Sequence, residues 1–220
     1  MRCSLRGVAG ALMAIGFLLV AASWALAAMQ PRVWNFDQDP LGEPPHGWQV
    51  LSGTWQVRLE EDAGNRVLVQ MGPPLGGFDL PAILAPGPRL RDVRAAVRIK
   101  PTGTGALETM GLILRWRDPG TMTVIRVEGT PGRVWLERAL EGRRVLRAGY
   151  IIPVHGDRWN ILRVTAQGDW INLFLNGQFL GGVREDDPVS GRVGLKAGPG
   201  ARVLLDDFEI EPASSGGIPG

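Results

Sequence analysis

Apolar and polar positions alternate with a period of two along most of the chain. Val93, Ala95, Val97 and Ile99 interleave with Arg94, Arg98 and Lys100. That spacing gives a strand with one apolar and one basic face. Over Met110–Arg117, Leu112, Leu114 and Trp116 fall on one face, and Ile113, Arg115 and Arg117 on the other. Over Met122–Glu128, Thr123, Ile125 and Val127 oppose Val124, Arg126 and Glu128. Arg133–Leu140 and Val145–Tyr150 continue the series. Asn176-Gly177 separates two β-rich runs, and both residues accept the positive φ of a type I′ turn. With the turn Gln167-Gly168-Asp169, this predicts three successive antiparallel strands over Trp159–Ala166, Trp170–Leu175 and Gln178–Arg184. Val203–Glu211 is the last predicted strand, and Pro40–Pro45 and Pro73–Pro88 are predicted as long loops. No stretch carries a convincing 3.6-residue period. The 31 glycines and 17 prolines lie largely between the runs. The pattern is that of an all-β sandwich or barrel.

The first residues follow another pattern. Arg2 and Arg6 precede an uncharged, mostly apolar stretch from Gly7 to Trp24, and then Ala25-Leu26-Ala27. This is the layout of a cleavable signal peptide, cut after Ala27 with Ala28 as the second choice. The apolar stretch approaches the roughly 18 residues that span a bilayer, but the small residues at its end favour cleavage over a retained anchor. Cys3 precedes the apolar stretch and cannot be a lipidated cysteine at a cleavage site. The expected product is exported to the periplasm or beyond. Its organisation is a leader over 1–27, one domain over 28–212, and a disordered tail over 213–220.

Cleavage changes the chemistry of what remains. Removing 27 of 220 residues leaves 193, enough for one domain with its own core. The formal charge of +2, from 24 basic and 22 acidic residues, falls to zero with Arg2 and Arg6. A neutral domain gives no electrostatic reason to expect nucleic acid as a partner. The single cysteine also leaves with the leader, so the domain has no disulfide and no thiolate metal site.

The order of the β runs resembles the concanavalin A-like lectin/glucanase superfamily, and within it laminin-G-like and 3-keto-disaccharide hydrolase-like domains. The resemblance is carried by Gly53-Thr-Trp55-Gln-Val57, Gly111-Leu-Ile-Leu-Arg115, Thr123-Val-Ile-Arg126-Val and Arg133-Val-Trp-Leu-Glu-Arg138. It continues in Trp159-Asn-Ile-Leu-Arg163-Val, Gly168-Asp-Trp-Ile-Asn-Leu-Phe-Leu-Asn176-Gly177, Gly191-Arg-Val-Gly194-Leu and Leu205-Asp206-Asp207-Phe208. It implies a two-sheet antiparallel jelly-roll sandwich with sugars lying across the concave sheet. It also implies a structural calcium near the chain ends in some members, for which Asp37 and Asp206 are the candidates here.

If Leu112, Leu114, Ile125, Val127 and Leu136 fill the core, the opposite face presents Arg115, Arg126, Glu128, Trp135 and Glu137. An indole beside arginines and carboxylates suits a sugar ring, whose apolar face stacks while its hydroxyls bond. The same residues would also serve as cross-strand ion pairs. Glycoside hydrolysis needs two carboxyl groups at a set separation. The Glu-x-Asp-x-x-Glu motif of laminarinase-type glucanases is absent, and no family catalytic residue maps onto this chain. The acidic clusters Glu60-Glu61-Asp62 and Glu185-Asp186-Asp187 read as solvated turns, and His46 and His155 as surface loop residues. The expected function is therefore a non-catalytic carbohydrate-binding or cell-envelope interaction domain. The alternatives are a hydrolase or lyase of the 3-keto-disaccharide type, suggested by the resemblance alone, and a purely structural envelope protein.

Overall fold

The structure is a computed structural model that describes residues 30–61, 64–71, 81–102, 109–129, 132–198 and 203–213. The chain divides into two compact units, Met1–Pro31 and Arg32–Gly220, and all the regular structure described lies in the second. The expected leader over 1–27 and residues 214–220 of the expected tail lie outside the described residues. Ala213 donates its N–H to the Asp92 carbonyl at 3.1 Å. Among the described residues no helix is long and apolar enough to cross a membrane.

Every regular element described is a strand. In chain order they are β1 (Arg32–Trp34), β2 (Gln49–Ser52), β3 (Trp55–Leu59), β4 (Arg66–Gln70), β5 (Ala82–Leu84), β6 (Val93–Pro101), β7 (Thr109–Asp118) and β8 (Thr121–Glu128). There follow β9 (Arg133–Leu140), β10 (Arg143–Ile151), β11 (Asn160–Gln167), β12 (Trp170–Leu175), β13 (Gln178–Arg184), β14 (Arg192–Ala197) and β15 (Val203–Pro212). They form two antiparallel sheets. Sheet A runs β13-β12-β11-β6-β15-β4-β3, with β1 also paired to β15. Sheet B runs β10-β9-β8-β7-β14-β5-β2. The sandwich expected from the period-two pattern is present.

The inward faces supply one continuous core. Val93, Ala95, Val97 and Ile99 of β6 meet Leu112, Leu114, Ile125, Val127, Val134 and Leu136 of sheet B. Each such side chain, fully buried, contributes roughly 1.5–3 kcal/mol. Trp34, Trp48 and Phe208 close one part of it, with ring centroids 5.4–5.6 Å apart. Asn176 (φ 52°) and Gly177 (φ 81°) make the predicted tight turn between β12 and β13.

Three expectations change. The segment predicted as a loop over Pro73–Pro88 contains β5, whose Ala82, Ile83 and Leu84 are all buried between β14 and β2. The acidic clusters are not simply solvated: Glu60 and Glu185 are 8% and 4% exposed. The alternation of β7 breaks at a register shift between Leu114 and Asp118. Arg115 there adopts φ 55°, so Arg115 and Trp116 exchange the faces that strict alternation gives them.

Candidate functional site

One cross-strand row crosses the outer face of sheet B. Lys196 of β14 pairs with Gly111 of β7, Gly111 with Arg126 of β8, Arg126 with Trp135 of β9, and Trp135 with Gly149 of β10. These residues point outward because their chain neighbours Met110, Val127, Val134, Leu136, Leu195 and Ala197 are core. The two glycines have steric reasons. A Cβ at Gly111 would lie 1.8 Å from the Ile125 carbonyl oxygen, and one at Gly149 would lie 2.4 Å from the Trp135 ring. The indole thus lies against the bare backbone of β10, a cross-strand pairing of aromatic and glycine.

Charge on this face converges on Arg126. Its Nη2 donates to Glu137 at 2.5 Å and its Nη1 to Glu128 at 3.5 Å. Arg133 stands over Trp135, 5.7 Å from the ring centroid, within cation–π range. Trp135 Nε1 and Arg126 Nε are buried with no acceptor among the described residues, as is Trp116 Nε1. Next to this group, Ile113, Met122, Val124 and Ala139 form a second buried apolar cluster with Trp116 packed on it. The structure therefore brings together four of the five predicted face residues: Arg126, Glu128, Trp135 and Glu137.

Arg115 is elsewhere. Turned inward by the bulge, it is 1% exposed and closes one end of the sandwich. Its Nη1 donates to Glu185, its Nη2 to the Gly168 carbonyl at 2.9 Å, and its Nε to the Arg91 carbonyl at 3.0 Å. Glu185 also accepts from Thr123 Oγ1 and pairs with Arg138 at 3.3 Å. Arg138 in turn donates to the carbonyls of Asp186 and Asp187. The bulge fits because Gly191 lies behind it, where a Cβ would sit 2.2 Å from the Arg115 carbonyl carbon.

Pairing of the chain ends occurs as expected, with Trp34 opposite Phe208, but Asp37 and Asp206 do not fit a calcium ion. Asp206 spends one oxygen on Asn65 Nδ2 at 2.8 Å and the other on the Asp207 N–H at 2.8 Å. Burial, the largest influence on it, pushes its carboxyl above the ordinary aspartate value of 3.8. Asp37 accepts from Asn35 Nδ2 at 2.9 Å. Calcium takes six to eight oxygens. No group of three or more His, Cys, Asp or Glu suited to a metal occurs among the described residues. His46 and His155 are exposed, each in the loop position expected of it.

Sequence reasoning overlooked Lys196, 5% exposed on the same row. Its signal was available: it stands beside core positions Leu195 and Ala197 and two residues after Gly194, on a strand whose alternate positions must face outward. Lys100 was also passed over, and it pairs with buried Glu60 at 2.8 Å.

No family model and no curated protein matches the chain. Solved structures do. The carbohydrate-binding module CBM66 from Bacillus subtilis aligns with a TM-score of 0.59 at 16% identity, over 79% of this chain and 99% of that one. A protein of unknown function with a galectin-like fold, also from Bacillus subtilis, aligns with a TM-score of 0.56 at 11% identity, over 76% and 89%. The GH43 protein BlXynB from Bacillus licheniformis aligns with a TM-score of 0.57 at 13% identity, over 81% of this chain but 38% of its own length. What is shared at these identities is the fold alone, a two-sheet antiparallel β-sandwich.

Proposed function

We propose that the protein is a non-catalytic carbohydrate-binding domain, exported by its leader, that holds a sugar on the outer face of sheet B. The observation that carries this is the group around Arg126. An indole, a guanidinium and two carboxylates share one face, and Trp135 Nε1 and Arg126 Nε have no acceptor among the described residues. A ligand dense in hydroxyls would meet the partly exposed side chains of Arg126, Glu128 and Glu137, which are 24%, 19% and 26% exposed, and stack on the half-buried indole. The likeness to a carbohydrate-binding module supports the reading at the level of fold. A hydrolytic role is less well supported, because Glu128 and Glu137 converge on the same guanidinium rather than facing one another across a gap for substrate.

The test is a glycan-array screen of the full chain, repeated with Trp135→Ala and Arg126→Ala. Binding to at least one glycan that both substitutions abolish, with the far-UV circular dichroism unchanged, is the expected result. No binding to any glycan would overturn the reading. The Arg126–Glu137 pair would join β8 to β9 in a purely structural envelope protein, and then the two substitutions would alter stability alone. Export has its own test: expression in a bacterial host should yield a periplasmic product whose N-terminus is Ala28 or Met29.

A further inference from the structure

The opposite side of the sandwich carries an open trough of about 730 Å³ on the outer face of sheet A. Its floor is Ala96 of β6. Ala96 pairs with Arg163 of β11 on one side and with Glu209 of β15 on the other. Neither Arg163 nor Glu209 makes a side-chain hydrogen bond or ion pair among the described residues. One row along, Arg94 and Glu211 pair at 3.3 Å and are 44% and 33% exposed. Phe174 extends the first row beyond Arg163. Its ring lies 5.2 Å from that of Phe179, which is 56% exposed.

Chemistry narrows what such a trough can hold. Its walls carry two arginines and two glutamates, so it gives no net field to attract a polyanion or a polycation. The strands beneath it, β11, β6 and β15, are each paired on both sides. Their backbone donors and acceptors are spent, and an extended peptide cannot be added there as a further strand. Recognition must come from side chains. An unpaired guanidinium facing an unpaired carboxylate across an alanine offers donors on one wall and acceptors on the other. Vicinal hydroxyls, which both donate and accept, match that arrangement. Phe174, with Phe179 packed against its ring, supplies an apolar surface for the C–H face of a sugar ring. The volume falls within the roughly 300–1,000 Å³ of ligand sites.

We propose that this trough is a second glycan site, independent of the face around Arg126, and that it takes a neutral oligosaccharide. The inference shares with the proposed function only the premise that the ligand is a carbohydrate. The experiment is a titration of the isotopically labelled full chain with cellohexaose, xylohexaose and laminarihexaose, and with polygalacturonate as the polyanionic control. The backbone amides of Phe174 and Gly177 report on the trough, and the Trp135 indole N–H reports on sheet B.

At least one neutral hexasaccharide should shift the trough amides, and should still do so in Trp135→Ala. Arg163→Ala and Glu209→Ala should each weaken that binding about tenfold or more, with the thermal midpoint unchanged as a check on folding. Shifts confined to the Trp135 indole would overturn the trough and leave the sheet B site standing. Shifts confined to the trough would do the reverse. Trough amides that no neutral probe moves, or that polygalacturonate moves more strongly, or affinities untouched by both substitutions, would each overturn the proposal.

Discussion

Two arginine–carboxylate groups in this molecule use the same chemistry under different burial. At the end of the sandwich, Arg115 and Arg138 enclose Glu185, with exposures of 1%, 8% and 4%. On sheet B, Arg126 holds Glu128 and Glu137 with all three side chains about a fifth to a quarter exposed. The first group is saturated: Glu185 meets two guanidiniums and a hydroxyl, and the arginines also take backbone carbonyls. The second keeps a buried Nε–H without an acceptor beside an indole N–H in the same state. A charge cluster that spends every donor holds strands together. One that leaves donors unspent has capacity for something else.

The largest test of that contrast is Glu185→Ala. It leaves two buried guanidiniums without their carboxylate and should cost about 3–5 kcal/mol in denaturant unfolding. A loss below about 1 kcal/mol would erase the distinction between the two groups. Next is Gly149→Val. Its side chain would occupy the place of the Trp135 ring, with overpacking of about 1–3 kcal/mol, a changed tryptophan fluorescence and loss of glycan binding. Arg126→Ala should cost less than Glu185→Ala, about 1 kcal/mol, because its pairs are a fifth to a quarter exposed rather than fully buried, while abolishing glycan binding on that face. A large stability loss with no change in binding would make sheet B the structural twin of the sandwich end.

The smallest effect concerns Asp206. Its carboxyl is raised in the folded state, so between 3.8 and that raised value the native protein binds more protons than the unfolded chain. Stability should therefore fall as pH rises through that window. Asp206→Asn should flatten that part of the pH profile, measured by thermal unfolding. A slope unchanged by the substitution would remove Asp206 as its source.

How much of this was legible in sequence depended on whether local pattern and tertiary packing agreed. The strands β9, β11 and β12 alternate cleanly between buried and more exposed positions, and Asn176-Gly177 marks its hairpin unaided. β5 does not: its three residues, Ala82–Leu84, carry no period, and only their place between β14 and β2 makes them a strand. Arg126, Glu128, Trp135 and Glu137 were found because alternation holds across β8 and β9. Arg115 was misplaced because nothing in Leu-Arg-Trp announces a bulge. Its inward turn depends on Gly191, distant in sequence, and on Glu185, which arrives only after β13. Glu185 itself looked like part of an acidic turn because its two arginines come from other strands.

The placement of β15 bears on the order of assembly. This strand lies inside sheet A, between β6 and β4, and also receives β1. Until it arrives, β4 with β3 and β6 with β11 are separate fragments with bare edges. Its pairing with β6 joins residues more than a hundred positions apart, and its pairing with β1 joins the two ends of the described domain. Such non-local closure slows folding. A nascent chain therefore cannot complete sheet A before residue 212 is available. For a polypeptide proposed to be threaded across a membrane by its leader, that delay keeps it in the extended form a narrow channel can pass, and defers closure to the far side.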